Sequence, residues 1–307
     1  MKTALVTGGS GFLGSYIAQE LTYRGYGVRI FDRRASDWLL DGQTMIEGDI
    51  LDVEQVDRAM EGVDVVFHLA GFSDLNAART QPQATARLNI EGTINLLEAA
   101  RRADVHRFAF ASTVYVYSRE GGFYRCSKQA CEEYIEEFER KFGLAYTILR
   151  YGSLYGPRSD DRNGVYRLLL QAARGEIIHH HGTPEDTREY IHVEDAARLS
   201  VDALDERFAN QHLVLTGPHP MRIRDLFTMF SEILGREVVV EYEDAVDGQN
   251  GHYTVTPYSF QPRVGRKLTT NLSVDMGQGV LQILEQIHRE NIELESANSR
   301  KLREAEA

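Results

Sequence analysis

Residues 3–14 read TALVTGGSGFLG and decide the fold of this 307-residue chain. The apolar run Thr3–Thr7 has the length and composition of a buried strand, and residues 12–24 have the pattern of a helix. A glycine-rich turn at residues 8–11 joins the two segments, and glycines at positions 8, 11 and 14 recur every three residues across the junction. A strand, a glycine-rich turn and a helix in this order predict the first unit of a parallel sheet covered by helices.

The rest of the first half repeats this alternation of apolar strands and helices. The predicted segments are the strand Val28–Phe31, the helix Val53–Met60, the strand Val63–Ala70, the helix Thr85–Arg102, the strand Phe108–Ala111, the helix Cys126–Phe142 and the strand Ala145–Arg150. Strands joined by helices of this length imply a parallel sheet covered on both faces. Right-handed crossovers then predict an α/β fold with a doubly wound parallel sheet, the Rossmann arrangement.

The pattern changes after Tyr151, where glycines and a proline interrupt the alternation. The predicted segments there are the helix Val165–Arg174, the strand Glu176–His180, a return to the main sheet at Tyr190–His192 with Asp195–Leu204, then Leu213–Thr216, Ile223–Leu234 and Val238–Tyr242 in a smaller lobe, and a final helix Val274–Glu293. We therefore predict a dinucleotide-binding domain over 1–150, with 190–206 returning to it. A smaller C-terminal substrate-binding lobe takes 151–189 and 207–293, and 294–307 is a frayed charged tail.

Composition excludes several classes of function. The 34 Lys and Arg against 46 Asp and Glu give a formal charge of -12, which argues against non-specific binding of nucleic acid or of an anionic membrane. Cys126 and Cys131 are too few for a disulfide framework. The N-terminus has no signal-peptide pattern and no apolar run approaches a membrane span. We expect a cytoplasmic protein.

The glycine turn predicts a dinucleotide site. Gly8 permits the tight turn, Gly11 lets the backbone approach a pyrophosphate at the helix N-terminus, and Gly14 lets helix and strand pack closely. Asp32 follows the second strand at the distance expected of a ribose-binding acid. Its carboxylate favours NAD over NADP, although Arg33 and Arg34 keep NADP as an alternative. Asp49 is a candidate for the adenine edge.

A second constellation predicts proton and hydride chemistry. Tyr124 and Lys128 lie four residues apart and share one face of a helix start, with the hydroxyl of Thr113 upstream. A free tyrosine is a poor base at neutral pH, but a neighbouring ammonium stabilises its phenolate and lowers its pKa. Tyr124 can then take a proton from a substrate hydroxyl that Thr113 orients, while hydride leaves for a nicotinamide.

Together these residues make the chain resemble an extended short-chain dehydrogenase/reductase of the NAD-dependent epimerase/dehydratase family, over roughly residues 1–290. The resemblance rests on Thr7–Gly14, Asp32, Gly48-Asp49, residues 67–71, Asn89 with Gly92-Thr93, Ser112-Thr113 with Val116-Tyr117, Tyr124 with Lys128, residues 149–157, and residues 188–193 with Asp195. It implies a nucleoside-diphosphate sugar as substrate. It also implies a homodimer through helices 85–102 and 126–142.

The resemblance assigns site residues. The expected catalytic set is Thr113, Tyr124 and Lys128. The expected cofactor-binding residues are Gly8, Ser10, Gly11, Phe12, Leu13, Gly14, Asp32, Arg33, Asp49, Ile50, Leu69, Ala70, Gly71, Asn89, Tyr124, Lys128 and Tyr151. The expected substrate-binding residues are Ser73, Thr113, Val114, Ser153, Arg188 and Arg263. We expect no metal, because residues 179–181 are three histidines without an accompanying acidic or cysteine cluster, and neighbouring strand positions face opposite sides.

The residues after Thr113 discriminate between reactions. Related 4,6-dehydratases carry an acidic pair there and related decarboxylases a glutamate, whereas this chain has Val114 and Tyr115. The preferred hypothesis is a 4-epimerase, which oxidises C4 and returns hydride to the opposite face. A reductase or dehydrogenase of a nucleotide sugar stays open, as does a non-catalytic dinucleotide sensor. The short 114–123 segment, and Ser153 where many relatives have asparagine, leave the sugar and nucleotide open.

Overall fold

Seven parallel strands form the central sheet of the computed structural model, which describes residues 1–243 and 255–257. The strands are β1 Thr3–Thr7, β2 Gly27–Asp32, β3 Thr44–Glu47, β4 Val65–His68, β5 Arg107–Thr113, β6 Tyr146–Tyr151 and β10 Gln211–Leu215. Their spatial order is β10-β6-β5-β4-β1-β2-β3, and every neighbouring pair is parallel. The predicted doubly wound α/β fold is confirmed, with its switch point between β1 and β4.

Helices cover both faces of this sheet. The described helices, which include those of the smaller sheets, are α1 Phe12–Tyr23, α2 Val53–Met60, α3 Leu75–Thr80, α4 Pro82–Ala86, α5 Gly92–Arg102, α6 Gly122–Phe142, α7 Gly164–Arg174, α8 Val193–Asp202 and α9 Ile223–Leu234. One core lies between the sheet and α1 with α8, and a second lies between the sheet and α2, α5 and α6. Because both faces are buried, the central strands are apolar almost throughout.

The remaining strands form two small sheets. They are β7 Ser153–Tyr155, β8 Ile178–His181, β9 Thr187–His192, β11 Pro220–Arg222 and β12 Val240–Glu243. Strand β9 lies between β11 and β7, and β12 pairs with β8. A third core joins α7, β8 and α9 through residues such as Ala172, Ile178 and Phe227. Among the residues that the structure describes, no helix combines the length and apolar character needed to cross a bilayer.

Two strand assignments from the sequence were wrong. Residues 190–192, predicted in the main sheet, belong to β9 and pair with β7 and β11. Residues 213–216, predicted in the smaller lobe, overlap β10, which pairs with β6 in the main sheet. The reason is the position of α8, which buries Val193, Ala197 and Val201 against the core that also contains α1. This helix is therefore the crossover that brings the following strand to the free edge of β6.

The long helix predicted over 85–102 is interrupted. Residues 87–91 form a π-helical turn between α4 and α5. The carbonyl of Asn89 accepts the Thr93 hydroxyl at 2.5 Å and the Cys131 thiol at 3.2 Å. These side-chain donors join the backbone amide of Gly92 at this carbonyl, and inserted side chains of this kind accompany irregular turns inside helices.

Helix α6 begins four residues earlier than predicted. Gly121, at φ +85°, precedes its first turn, and Gly122 opens it. Glycines are poor helix formers, so the sequence pattern became periodic only at Cys126. The predicted final helix 274–293 and the tail 294–307 lie outside the described residues.

Candidate active site

The glycine turn is packed so closely that larger residues do not fit. Gly8 has φ +71°, and a Cβ there would lie 2.6 Å from the amide nitrogen of Ala70. A Cβ on Gly14 would overlap the carbonyl oxygen of Gly8. The absence of side chains leaves the N-terminus of α1 open to the cleft, where backbone amides and the helix dipole favour an anionic pyrophosphate. The turn therefore fits a dinucleotide.

Asp32 lies beside this turn, at the carboxyl end of β2. Its carboxylate accepts the amide of Ser10 at 3.1 Å and the amide of Arg34 at 3.4 Å. The Ser10 hydroxyl donates to the carbonyl of Arg34 at 2.8 Å. These bonds hold the acid at the cleft wall, next to the place where the helix N-terminus would receive the pyrophosphate.

A single cleft of about 1690 Å³ contains most of the predicted site. The predicted residues that line it are Gly8, Ser10, Gly11, Phe12, Leu13, Gly14, Asp32, Arg33, Asp49, Ile50, Leu69, Ala70, Gly71, Ser73, Thr113, Tyr124, Lys128, Tyr151, Ser153 and Arg188. Residues at the carboxyl end of the main sheet and residues of the smaller lobe therefore line the same cleft. Arg263 lies outside the described residues.

Two predicted contact residues lie behind the cleft wall. Asn89 is buried. Its side-chain oxygen accepts the amide of Phe72 at 2.6 Å, and its side-chain nitrogen donates to the carbonyl of Phe72 at 3.2 Å and to the hydroxyl of Ser127 at 2.8 Å. Ser127 in turn donates to the carbonyl of Tyr124 at 2.8 Å. Asn89 thus connects the loop after β4 to the start of α6. The π-helical turn contains Asn89 and places its side chain between these two segments.

Val114, the other residue, has no exposed surface and packs with Leu75, Tyr117 and Tyr124. The amide of Tyr115 donates to the Thr113 hydroxyl at 3.3 Å, which starts a tight 3-10 turn over residues 114–117. That turn points Val114 inward and leaves Tyr115 on the cleft wall. The prediction of a substrate contact at Val114 was wrong for this reason.

The structure brings the predicted catalytic side chains together. Thr113 ends β5 and Tyr124 lies in the first turn of α6, and both side chains line the cleft. Lys128, one turn further along α6, donates its ammonium to the carbonyl of Ala111 at 2.8 Å. Its Nζ lies 5.8 Å from the centroid of the Tyr124 ring. A substrate hydroxyl placed beside Thr113 would therefore meet the Tyr124 phenol.

Burial acts on both ionisable members of this set. Burial raises the pKa of Tyr124, an effect that a charged Cys131 thiolate would add to and that the nearby Thr113 hydroxyl opposes. Burial also lowers the pKa of Lys128, while Cys131 and Glu132 oppose that shift. The sequence predicts that Lys128 lowers the pKa of Tyr124. Burial of Tyr124 acts in the opposite direction.

Several cleft residues were not assigned to the site from the sequence. Arg158, Trp38 and Tyr115 line the cleft, as do the three histidines 179–181. His181 and His179 bring their Nδ1 atoms to 3.0 and 3.2 Å from Glu243. Within the described part of the chain, no three His, Cys, Asp or Glu side chains are grouped to hold a metal ion. Arg158 could have been assigned to the site from the sequence, because it directly follows the Tyr155-Gly156-Pro157 motif.

Comparisons with known proteins agree with this geometry. A UDP-N-acetyl-alpha-D-glucosaminuronate decarboxylase of Bacillus cytotoxicus is 31% identical over 234 residues, which are 67% of this chain and 72% of the relative. The crystal structure of UDP-glucose 4-epimerase from Thermotoga maritima, with UDP-glucose, is 29% identical with a TM-score of 0.76 and covers 84% of this chain and 90% of that one. The UDP-glucose 4-epimerase of Thermus thermophilus in complex with NAD is 26% identical with a TM-score of 0.74, covering 86% and 95%.

The sequence also matches the model of one protein family. The match covers residues 4–215, from β1 to the last strand of the main sheet, and includes the glycine turn and the Thr113, Tyr124 and Lys128 set. The resemblance stated from the motifs is thereby confirmed: the chain belongs to the NAD-dependent epimerase/dehydratase family.

Proposed function

We propose that this protein is an NAD-dependent 4-epimerase of a nucleoside-diphosphate sugar, with a UDP-sugar as the first candidate. The observation that carries the proposal is that Thr113, Tyr124 and Lys128 line the same cleft as the glycine turn. Two of the similar solved structures are UDP-glucose 4-epimerases, one with UDP-glucose and one with NAD.

Each residue has a proposed role in this reaction. Bound NAD supplies a hydride acceptor that can return the hydride in the second half-reaction. Glycines 8, 11 and 14 and Asp32 hold it, Thr113 orients the sugar hydroxyl, and Tyr124 moves the proton. Lys128 holds a positive charge within reach of the Tyr124 ring and so favours the phenolate form that accepts the proton.

The decarboxylase relative provides a specific alternative. The family resemblance implies a glutamate two residues after the catalytic hydroxyl in such enzymes. This chain has Tyr115 at that position. Tyr115 lines the cleft together with Thr113 and Tyr124 and brings a phenol in place of a carboxylate. Because no carboxylate follows Thr113 in the 3-10 turn, epimerisation suits this wall better than decarboxylation or dehydration.

One experiment separates these reactions. Purified protein is incubated with a panel of UDP-, GDP- and CDP-sugars without added cofactor, and the products are analysed by mass and by NMR. An epimer of unchanged mass, formed with co-purifying NAD, supports the proposal. Loss of carbon dioxide indicates a decarboxylase, loss of water a dehydratase, and turnover only with stoichiometric external cofactor a dehydrogenase.

The catalytic assignment is tested in the same assay. Tyr124→Phe removes the proton-transfer group but keeps the ring, so we expect kcat to fall by about 10²–10⁴-fold. NAD binding, measured by calorimetry, should persist, because the glycine turn and Asp32 are untouched. A variant with the rate of the parent protein would refute the role of Tyr124.

Two further features are proposed with the function. We place the enzyme in the cytoplasm, supported by Cys126 and Cys131 being free thiols.

We also propose a homodimer through the helices at 85–102 and 126–142, supported by the exposed Tyr134 and Phe142 rings on α6. Sedimentation should give a dimer that Tyr134→Glu weakens; a monomeric parent protein would refute it.

A further inference from the structure

Three side chains from separate segments stack at the cofactor end of the cleft. The guanidinium carbon of Arg158 lies 4.1 Å from the centroid of the Tyr16 ring and 4.5 Å from that of the Trp38 ring. Tyr16 belongs to α1, Trp38 to the loop between β2 and β3, and Arg158 to the loop after β7. The planar cation is therefore held between two aromatic faces, an arrangement worth about 0.5–2 kcal/mol per ring.

The edges of the guanidinium are also bound. Arg158 donates to the Gln19 side chain at 2.7 Å and to the Ser15 hydroxyl at 3.3 Å, both on α1. The Tyr16 hydroxyl donates to the carbonyl of Pro157 at 3.4 Å. These bonds fasten the loop after β7 to the helix that follows the glycine turn.

The backbone of Arg158 is strained. Its φ is +65°, a left-handed conformation that is unfavourable for a residue with a Cβ. Such strain persists only where surrounding contacts hold it. Here the stack and the two hydrogen bonds supply those contacts, and the strain places the guanidinium on the cleft wall.

The stack lies next to the proposed dinucleotide position. Trp38 and Arg158 line the same cleft as Gly11 and Asp32. The loop that carries Trp38 begins at Asp32, whose carboxylate binds the glycine turn. Trp38 is 43% exposed, so its ring can leave the stack without unpacking either core of the main sheet.

From these contacts we propose that Tyr16, Arg158 and Trp38 form a clasp that closes the adenosine side of the cleft and limits the rate of NAD release. The inference rests on the proposed function, because an epimerase reuses its NAD in both half-reactions and gains from slow release. Arg158 and Trp38 act here as positioning residues, through closure of the cleft and not through the reacting carbon.

The test measures NAD release directly. Protein loaded with labelled NAD is diluted into excess unlabelled NAD, and the retained label is followed with time. Trp38→Ala and Arg158→Met should each release NAD at least about tenfold faster, whereas Trp38→Phe, which keeps an aromatic face, should have a smaller effect. The double variant should be no faster than the faster single variant, because the three groups act as one unit.

A matched control is available. Arg207 stacks on Phe208 at 4.6 Å, outside the residues that line the cleft. Arg207→Met removes a comparable contact and should leave the release rate unchanged. Trp38 is the only tryptophan of the chain, so its emission should change when NADH binds, and Arg158→Met should alter that change.

The outcomes distinguish the two proposals. Release rates equal to those of the parent protein in Trp38→Ala and Arg158→Met would overturn the clasp, whatever the enzyme does with sugars. Fast release in these variants, together with no epimer from any nucleotide sugar, would support the clasp and overturn the proposed function. Failure of the parent protein to bind NAD at all would overturn both.

Discussion

Glu132 and Arg150 form a buried, two-pronged ion pair directly behind the proposed catalytic residues. The Oε2–Nη2 distance is 2.6 Å and the Oε1–Nε distance is 3.1 Å, and the side chains are 8% and 14% exposed. Ser112, which precedes Thr113 on β5, donates to the same carboxylate. Glu132 follows Lys128 by one turn of α6, so the pair fixes that helix to β6, and the Ser112 bond fixes it to β5, the strand that carries Thr113.

Removing one charge of this pair should be costly. Glu132→Gln leaves the Arg150 guanidinium buried without its counter-ion, so we expect the free energy of unfolding to fall by about 3–5 kcal/mol. Urea denaturation at constant pH measures it. Glu137→Gln, which breaks the exposed pair with Arg140 on the same helix, is the control and should change stability little. Equal losses in the two variants would contradict the argument.

Lys128 should control the pH dependence of turnover. Burial raises the pKa of Tyr124 above the value near 10 of a free phenol, and the basic form is the phenolate, so kcat/KM should keep rising with pH up to about 10. Lys128→Met removes the ammonium that favours the phenolate, and the rising limb should move to higher pH. Lys128→Arg keeps the charge and should restore part of the parent profile. A profile unaltered by Lys128→Met would exclude this role.

His68 should make the stability of the fold depend on pH. Its ring nitrogens lie 2.8 Å from the Thr7 hydroxyl and 2.9 Å from that of Thr93, and burial lowers its pKa well below the usual value, with Lys128 adding to the effect. The unfolded chain therefore binds a proton below about pH 6.5 that the folded chain excludes. Stability should fall as pH drops below that point, by up to about 1.4 kcal/mol per pH unit.

His68→Asn should flatten this dependence, even though it lowers stability at neutral pH. Denaturation curves across the acidic range give the slope, and His219→Asn at an exposed position is the control that should keep the parent slope. The same slope in both variants would show that other groups cause the acid sensitivity.

The packing of the glycine turn predicts a large effect of one methyl group. Gly14→Ala directs a Cβ into the carbonyl oxygen of Gly8, so we expect a loss of about 1–3 kcal/mol in unfolding free energy and weaker NAD binding. Gly164→Ala, where the added Cβ meets nothing within 4 Å, is the matched control for stability. Calorimetry and denaturation check both effects; tight NAD binding by Gly14→Ala would contradict them.

The local sequence pattern was sufficient to predict much of the fold and of the candidate site. The strand, turn and helix of residues 3–14 follow from apolar periodicity and glycine spacing, which act over a few residues. The same is true of Tyr124 and Lys128, because residues four apart on a helix share a face wherever that helix packs. The sequence by itself therefore determined the doubly wound fold, the family and the candidate catalytic set.

Tertiary structure decided what depends on contacts between distant segments. Residues 211–215 became a strand of the main sheet because α8 packs beside α1 and brings them to the edge of β6. Val114 is buried and Tyr115 lines the cleft because the Thr113 hydroxyl starts a 3-10 turn. The stack of Arg158 between Tyr16 and Trp38 joins residues far apart in the chain. Such pairings depend on which buried surfaces meet, a property of the folded whole that no local periodicity encodes.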